Sequence, residues 1–228
     1  SAALRLDAVA TAPRLSPEDW SLSPGDIGLL VGPAGAGKTL LMEVCGLLRR
    51  PVCGALRVLG EDPAALSPSA RAALRRRIGW AAQAPVFLDR LSLIENLAAP
   101  LRLAGAAPQD RRAQAAEVLD WLHLGDRAEA TPARLSLGER RRAALARAVI
   151  AGPELVLADD PVAGLDAPAA ALAIQMLQAL AEHGAAILLA SSDPALARRF
   201  GGQAKTLALS PPPAGEPSSA VPASAAAA

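Results

Sequence analysis

Eight residues constrain this chain more than any others: Gly32-Pro33-Ala34-Gly35-Ala36-Gly37-Lys38-Thr39. They satisfy the pattern G-x-x-x-x-G-K-[ST] of a phosphate-binding loop. Glycines let a tight loop turn its backbone N–H groups inward, forming a concave nest for a β-phosphate. The spacing lets Lys38 reach the β- and γ-phosphates and lets the Thr39 hydroxyl ligate Mg²⁺. The flanks agree, because residues 27–31 read as a buried strand and residues 40–48 as a helix. A phosphate would then sit at a helix N-terminus, where the dipole favours anions. Of the 23 basic residues only Lys38 and Lys205 are lysine. One of the two stands where a compact ammonium suits phosphate better than a flat guanidinium. The loop is expected to bind a nucleotide.

Length and charge exclude several other classes. A chain of 228 residues suits one domain with a sizeable core. A net charge of +1 gives no reason to expect nucleic acid as a partner. No apolar run approaches a membrane span, and no secretory signal opens the sequence. Cys45 and Cys53 lack metal-ligand spacing and are expected to be reduced, packed thiols of a cytosolic protein. His123 and His183 stand alone and read as structural or surface residues.

Strands are expected over residues 4–9, 51–60, 78–83, 154–159, 185–190 and 204–209, besides 27–31. Helices are expected over 67–77, 91–103, 110–124, 138–151 and 167–182, besides 40–48. Pro13, Pro17 and Pro24-Gly25 punctuate the approach to the phosphate loop. Strands alternating with helices predict an α/β fold with a mostly parallel, covered sheet. Residues 1–209 are expected to form the domain and the Pro/Ala/Ser-rich residues 210–228 a disordered tail. A phosphate loop needs a carboxylate for Mg²⁺ at the end of a neighbouring buried strand, and Asp159 after Leu155-Val156-Leu157-Ala158 meets that need. Asp160 is placed to orient or deprotonate the attacking water. Adjacent carboxylates are costly unless a cation compensates them.

Together with these residues, five further stretches resemble the ABC-type ATPases, the nucleotide-binding domains of ATP-binding-cassette systems. Gln83 falls at the family's Q-loop, and Leu135-Ser136-Leu137-Gly138-Glu139 resembles its signature. Asp159-Asp160-Pro161 matches the Walker B ending, Gly164-Leu165-Asp166 the D-loop, and Ser191-Ser192-Asp193 occupies the H-loop. The separation of Lys38 from Asp159 is only 121 positions (159 − 38), which leaves no room for the long heptad insert of DNA-maintenance ATPases. The stretches from Ile78-Gly79 to Gln83 and from Phe87 to Leu101 are similar to the group that includes the cell-division ATPase FtsE and the lipoprotein-export and MacB-type ATPases. The Asp89-Arg90 pair most resembles FtsE.

The resemblance implies a phosphate-loop NTPase core, a small N-terminal antiparallel β subdomain and an inserted helical subdomain at about 84–151. It implies ATP and Mg²⁺ as cofactors. Gly32 to Thr39 would hold the phosphates, while Thr39, Gln83 and Asp159 would serve Mg²⁺. Ser136 and Gly138 would reach the γ-phosphate of an opposing cassette in a homo- or heterodimer. Asp160, Gln83 and Ser192 would occupy the catalytic positions. An integral membrane subunit, FtsX-like or a permease, would dock near residues 85–97, with Phe87, Leu88 and Leu91 as apolar anchors. The protein would then lie in the cytoplasm, peripheral on the inner face of the membrane. Three departures from the family pattern stand out: Asp160 replaces a Glu, Ser192 replaces a His, and residues 10–14 offer no aromatic for adenine. They predict nucleotide binding with slow hydrolysis and weak discrimination between ATP and GTP. Trp20 is a substitute for the missing aromatic only if it is not needed for packing.

Overall fold

The computed structural model describes residues 2–11, 18–193, 196–200 and 204–209. Pro13, Pro17, most of the segment expected to face adenine, and the 210–228 tail lie outside the described residues. The chain runs β1 (Leu4–Ala10), β2 (Glu18–Leu22), β3 (Ile27–Val31), α1 (Lys38–Cys45), β4 (Cys53–Val58), α2 (Pro68–Arg75) and β5 (Ile78–Ala81). It continues through α3 (Leu93–Leu103), α4 (Pro108–Trp121), α5 (Leu137–Val149), β6 (Leu155–Asp159), α6 (Ala167–Glu182), β7 (Ala186–Ser191), α7 (Leu196–Arg199) and β8 (Ala204–Ala208).

These strands form two sheets. One is antiparallel, in the order β2-β1-β4, and the other has the order β5-β6-β7-β3-β8 with every pair parallel. The parallel sheet is covered on both sides, and its alternation sorts the apolar residues. Ile27, Leu29, Val156, Ala158, Ile187 and Leu189 face a core shared with α3, α4, α5 and α6. Leu30, Leu155, Leu157, Leu188 and Ala190 face a second core with α1 and the antiparallel sheet. This is the phosphate-loop NTPase architecture expected from the sequence, with the helical layer α3–α5 laid on one side.

Local chemistry sets the element ends. Ser92 and Ser136 each accept a hydrogen bond from the backbone N–H three residues on, while Glu95 and Glu139 reach back to the cap N–H. The same reciprocal capping box therefore starts α3 and α5. Asp166 caps α6 by accepting from the Ala169 N–H at 2.8 Å. α1 has no side-chain cap and begins from Gly37 at φ +89°, a left-handed conformation that glycine adopts without steric cost. At Gly79 a Cβ would collide with the Ala148 carbonyl, so the absence of a side chain lets α5 lie directly on β5.

Several expectations need correction. The helix expected over 40–48 begins at Lys38 and stops at Cys45, with Gly46 as its cap and the left-handed Leu47 at φ +60° taking the chain off the helical path. The one expected over 110–124 runs from Pro108 to Trp121. β2 and the short α7 were not expected at all. Trp20 of β2 lies over Gly28, where a Cβ would strike its ring, so it is a packing residue rather than an adenine platform. Cys45 is packed, and burial pushes its thiol up to about 12, but Cys53 is exposed. Among the described residues no helix is long and apolar enough to cross a membrane.

Candidate functional site

Strand register gathers the candidate residues at one edge of the parallel sheet. Val31 of β3 pairs with Ser191 of β7, and Asp159 of β6 pairs with Ala190. The loop after β3, the carboxylates ending β6 and the serines ending β7 therefore emerge side by side at the carboxyl ends of the strands. Ligands bind in this position in open α/β sheets.

Within the loop, the Lys38 side chain is 7% exposed and folds back to donate to the carbonyls of Gly32 at 2.7 Å and Pro33 at 3.0 Å. Those carbonyls hold the ammonium over the concavity that the loop encloses. Thr39 Oγ1 donates to Asp159 Oδ2 at 2.7 Å, which ties the start of α1 to the end of β6. Sequence reasoning placed these residues on one ion, and the structure brings their oxygens together.

Asp159 is 4% exposed, and burial raises its carboxyl above the ordinary range. The Thr39 hydrogen bond and the Lys38 charge oppose that shift, while the neighbouring Asp160 adds to it. A buried carboxylate beside a second one calls for a cation. The donors on hand, a hydroxyl and a carboxylate, are hard oxygens of the kind Mg²⁺ prefers. Among the described residues no group of three or more His, Cys, Asp or Glu could hold a metal by itself. The pair fits a Mg²⁺ that takes its other ligands from phosphates and water.

Gln83, in the bend after β5, lines a small cleft with Asp159, Asp160 and Arg141. Asp160 is half-buried and left-handed, with φ +49°. Its Oδ1 accepts from Ser191 Oγ at 2.9 Å and from the Ser192 N–H at 3.3 Å. Ser192 thus meets Asp160 through its backbone, and its side chain is exposed. Ser191, which sequence reasoning passed over, supplies the hydroxyl instead. Ser136 and Gly138 stand apart from this edge. Ser136 is engaged as the α5 cap, a Cβ added at Gly138 would come into ordinary contact with Leu165 of the D-loop stretch, and neighbouring Leu137 is 57% exposed. No hydrogen bond among the described residues joins either one to the phosphate loop.

The presumed docking segment needs one correction. Phe87 is buried in the main core, with the Arg147 guanidinium 4.7 Å from its ring centre, so it is not a free anchor. Leu91 is only partly exposed, whereas Leu88 is 55% and Val86 75% exposed. The buried Asn96 side chain fixes this segment. It accepts from the Leu88 N–H and donates to the carbonyls of Leu88, Leu91 and Ser92 at 3.0 to 3.2 Å.

Comparison with known proteins agrees with this geometry. Residues 15–163 match the family model described as ABC transporter. The lipoprotein-releasing system ATP-binding protein LolD 1 of Rhodospirillum rubrum is 39% identical over 209 residues, spanning 87% of this chain and 92% of that protein. The macrolide export ATP-binding/permease protein MacB of Syntrophobacter fumaroxidans is 40% identical over 181 residues, which is 78% of this chain but 25% of that longer protein. An ATP-binding cassette in a dimeric, post-hydrolysis state bound to ADP and Pi superposes with a TM-score of 0.83 at 25% identity, covering 90% of this chain and 94% of that one.

The raised Asp159 carboxyl has a consequence for stability. A carboxyl whose folded value lies above its unfolded one gives stability that is complete below the unfolded value and lost as pH rises through the folded one. Asp159→Asn, whose amide oxygen can still accept from Thr39, is expected to raise the Tm of the nucleotide-free protein at neutral pH. The gain should shrink on acidification below the ordinary aspartate range. Thermal melts across pH check this, and an equal or lower neutral Tm contradicts it.

Proposed function

The chain belongs to the ABC transporter family as an ATP-binding cassette, and we propose that it powers a membrane partner of the lipoprotein- or substrate-exporting kind. The likeness to the lipoprotein-releasing and macrolide-export proteins supports the exporter part of this reading, and the Thr39–Asp159 hydrogen bond of 2.7 Å, joining phosphate loop and acidic strand end, carries the nucleotide part. In this reading Lys38 leaves the Gly32 and Pro33 carbonyls for the β- and γ-phosphates of ATP. The loop N–H groups and the α1 N-terminus cradle the same phosphates. Thr39 and Asp159 hold Mg²⁺, with Gln83 beside them; the ion, when bound, offsets charge on the phosphate oxygens. Asp160 orients the attacking water. Ser136 and Gly138 act across a dimer, where the N-terminus of α5 presents its N–H groups to the γ-phosphate of the opposing copy.

Hydrolysis is slow in this reading. The Asp160 side chain is one methylene shorter than the family's Glu. A carboxylate set back by roughly an ångström can cost about 10² in rate. Ser192 also brings no imidazole to the γ-phosphate. The Asp160→Glu/Ser192→His variant is therefore expected to hydrolyse ATP faster than wild type, by up to about 10²-fold. Steady-state phosphate release measures this, and equal rates would sink the low-activity claim.

In this reading the membrane partner docks at the exposed Val86 and Leu88 and reaches a cleft of about 400 Å³ lined by Trp80, Leu103 and the Arg147 that stacks on Phe87. An amphipathic helix from the partner would lay its apolar face there. A cell-division role with an FtsX-like partner is the second reading; it rests on the Asp89-Arg90 resemblance, and both residues are exposed beside the same segment. Val86→Asp/Leu88→Asp is expected to abolish co-purification with the membrane subunit while leaving ATP binding unchanged. Retained co-purification would move the docking site elsewhere.

A further inference from the structure

Ser191 ends the fully buried strand β7 and is 3% exposed. A serine hydroxyl has one proton to donate and two lone pairs to offer. One lone pair is taken by the Asp193 N–H at 3.0 Å, and the proton goes to Asp160 Oδ1 at 2.9 Å. The Ser192 N–H donates to the same oxygen at 3.3 Å, and the Asp160 N–H donates to the Ala190 carbonyl at 2.8 Å. Backbone and carboxylate of Asp160 are thus both fastened to the end of β7.

This fastening answers a specific weakness. The terminal torsion of an aspartate is broad, so an unsupported carboxylate samples many orientations. Asp160 also has φ +49°, a left-handed conformation that short polar side chains visit more readily than longer ones. With Oδ1 held by two donors, the carboxylate plane is set, and Oδ2 is the oxygen that remains for the cleft shared with Gln83, Arg141 and Asp159.

We propose that Ser191 is a positioning residue for ATP hydrolysis: its hydroxyl fixes Oδ1 of Asp160 so that Oδ2 meets the attacking water. The inference rests on the reading of Asp160 as the water-orienting carboxylate. In this chain the shortened carboxylate and the buried hydroxyl act as one unit. The serine supplies by hydrogen bonding the orientation that a longer side chain would obtain by reach. Ser191 is buried and acts through its bond to Asp160.

Single-turnover hydrolysis of labelled ATP by the full chain tests this, because it reads slow rates, with nucleotide Kd measured in parallel. The set is wild type, Ser191→Ala, Ser191→Thr, Asp160→Asn and the double variant Ser191→Ala/Asp160→Asn. Ser191→Ala is expected to lower the rate constant at saturating ATP by roughly 10- to 100-fold with an unchanged Kd. Ser191→Thr, which keeps the hydroxyl, is expected to restore most of the rate. The double variant should be no slower than Asp160→Asn, because residues that act as a unit are not additive. A wild-type rate in Ser191→Ala, a parallel loss of rate and affinity, no rescue by Thr, or additive losses would each overturn the proposal. If Asp160→Asn itself hydrolyses like wild type, the reading of Asp160 fails and this inference falls with it. That outcome is distinct from a silent Ser191→Ala beside a slow Asp160→Asn.

Discussion

Two carboxylates in succession at the end of a buried strand set the terms for this molecule. Asp159 closes β6, all five residues of which are buried, and Asp160 follows immediately. Desolvation, and to a lesser degree the neighbouring Asp160 charge, work against ionising Asp159 and lift its carboxyl. The fold answers each acid differently. Asp159 receives the Thr39 hydroxyl and lies within the field of Lys38, a cationic and hydroxylic environment ready for a metal–phosphate group. Asp160 turns away through a left-handed backbone and is held by β7. The divergence gives the two carboxylates of a single dipeptide different partners, Thr39 for Asp159 and Ser191 for Asp160.

The remaining architecture serves that edge. Parallel register sets the ends of β3, β6 and β7 together, and apolar alternation on both faces of the sheet fixes the register by making a one-residue slip expensive. Two capping boxes carry the structure outward from the site. The box at Ser136 starts α5, and the box at Ser92 starts α3 behind the exposed Val86 and Leu88. In both, the capping interaction with serine holds the glutamate below the ordinary carboxylate range, so both caps weaken as pH falls through the lowered values.

Much of this was legible in the sequence because its signals are local. The phosphate loop, the apolar run into Asp159 and the long helix after Asp166 each carry their own spacing, and α6 occupies the expected residues 167–182. The errors arose where the deciding partner is distant in sequence. β2, with Asp19 inside it, has weak strand character of its own and is a strand because Leu4, Arg5 and Leu6 of β1 pair with it. Phe87 and Leu88 read alike as apolar anchors, yet only the fold sends the first under Arg147 and the second to the surface. Ser191 looked like filler beside the expected H-loop position at Ser192, because its bond to Asp160 spans 31 residues. The Ser-x-x-Glu signals at 92–95 and 136–139 were present in the sequence and could have set both helix starts.

Lys38, held over the loop by two carbonyls, is proposed to meet a nucleotide's phosphates. Titration calorimetry of Mg·ATP into wild type and Lys38→Ala tests this. Saturable binding by wild type, weakened at least about tenfold in the variant, is the expected result, since a charge-assisted hydrogen bond is worth roughly 1.5–3 kcal/mol. Equal affinities for the two proteins would contradict the account.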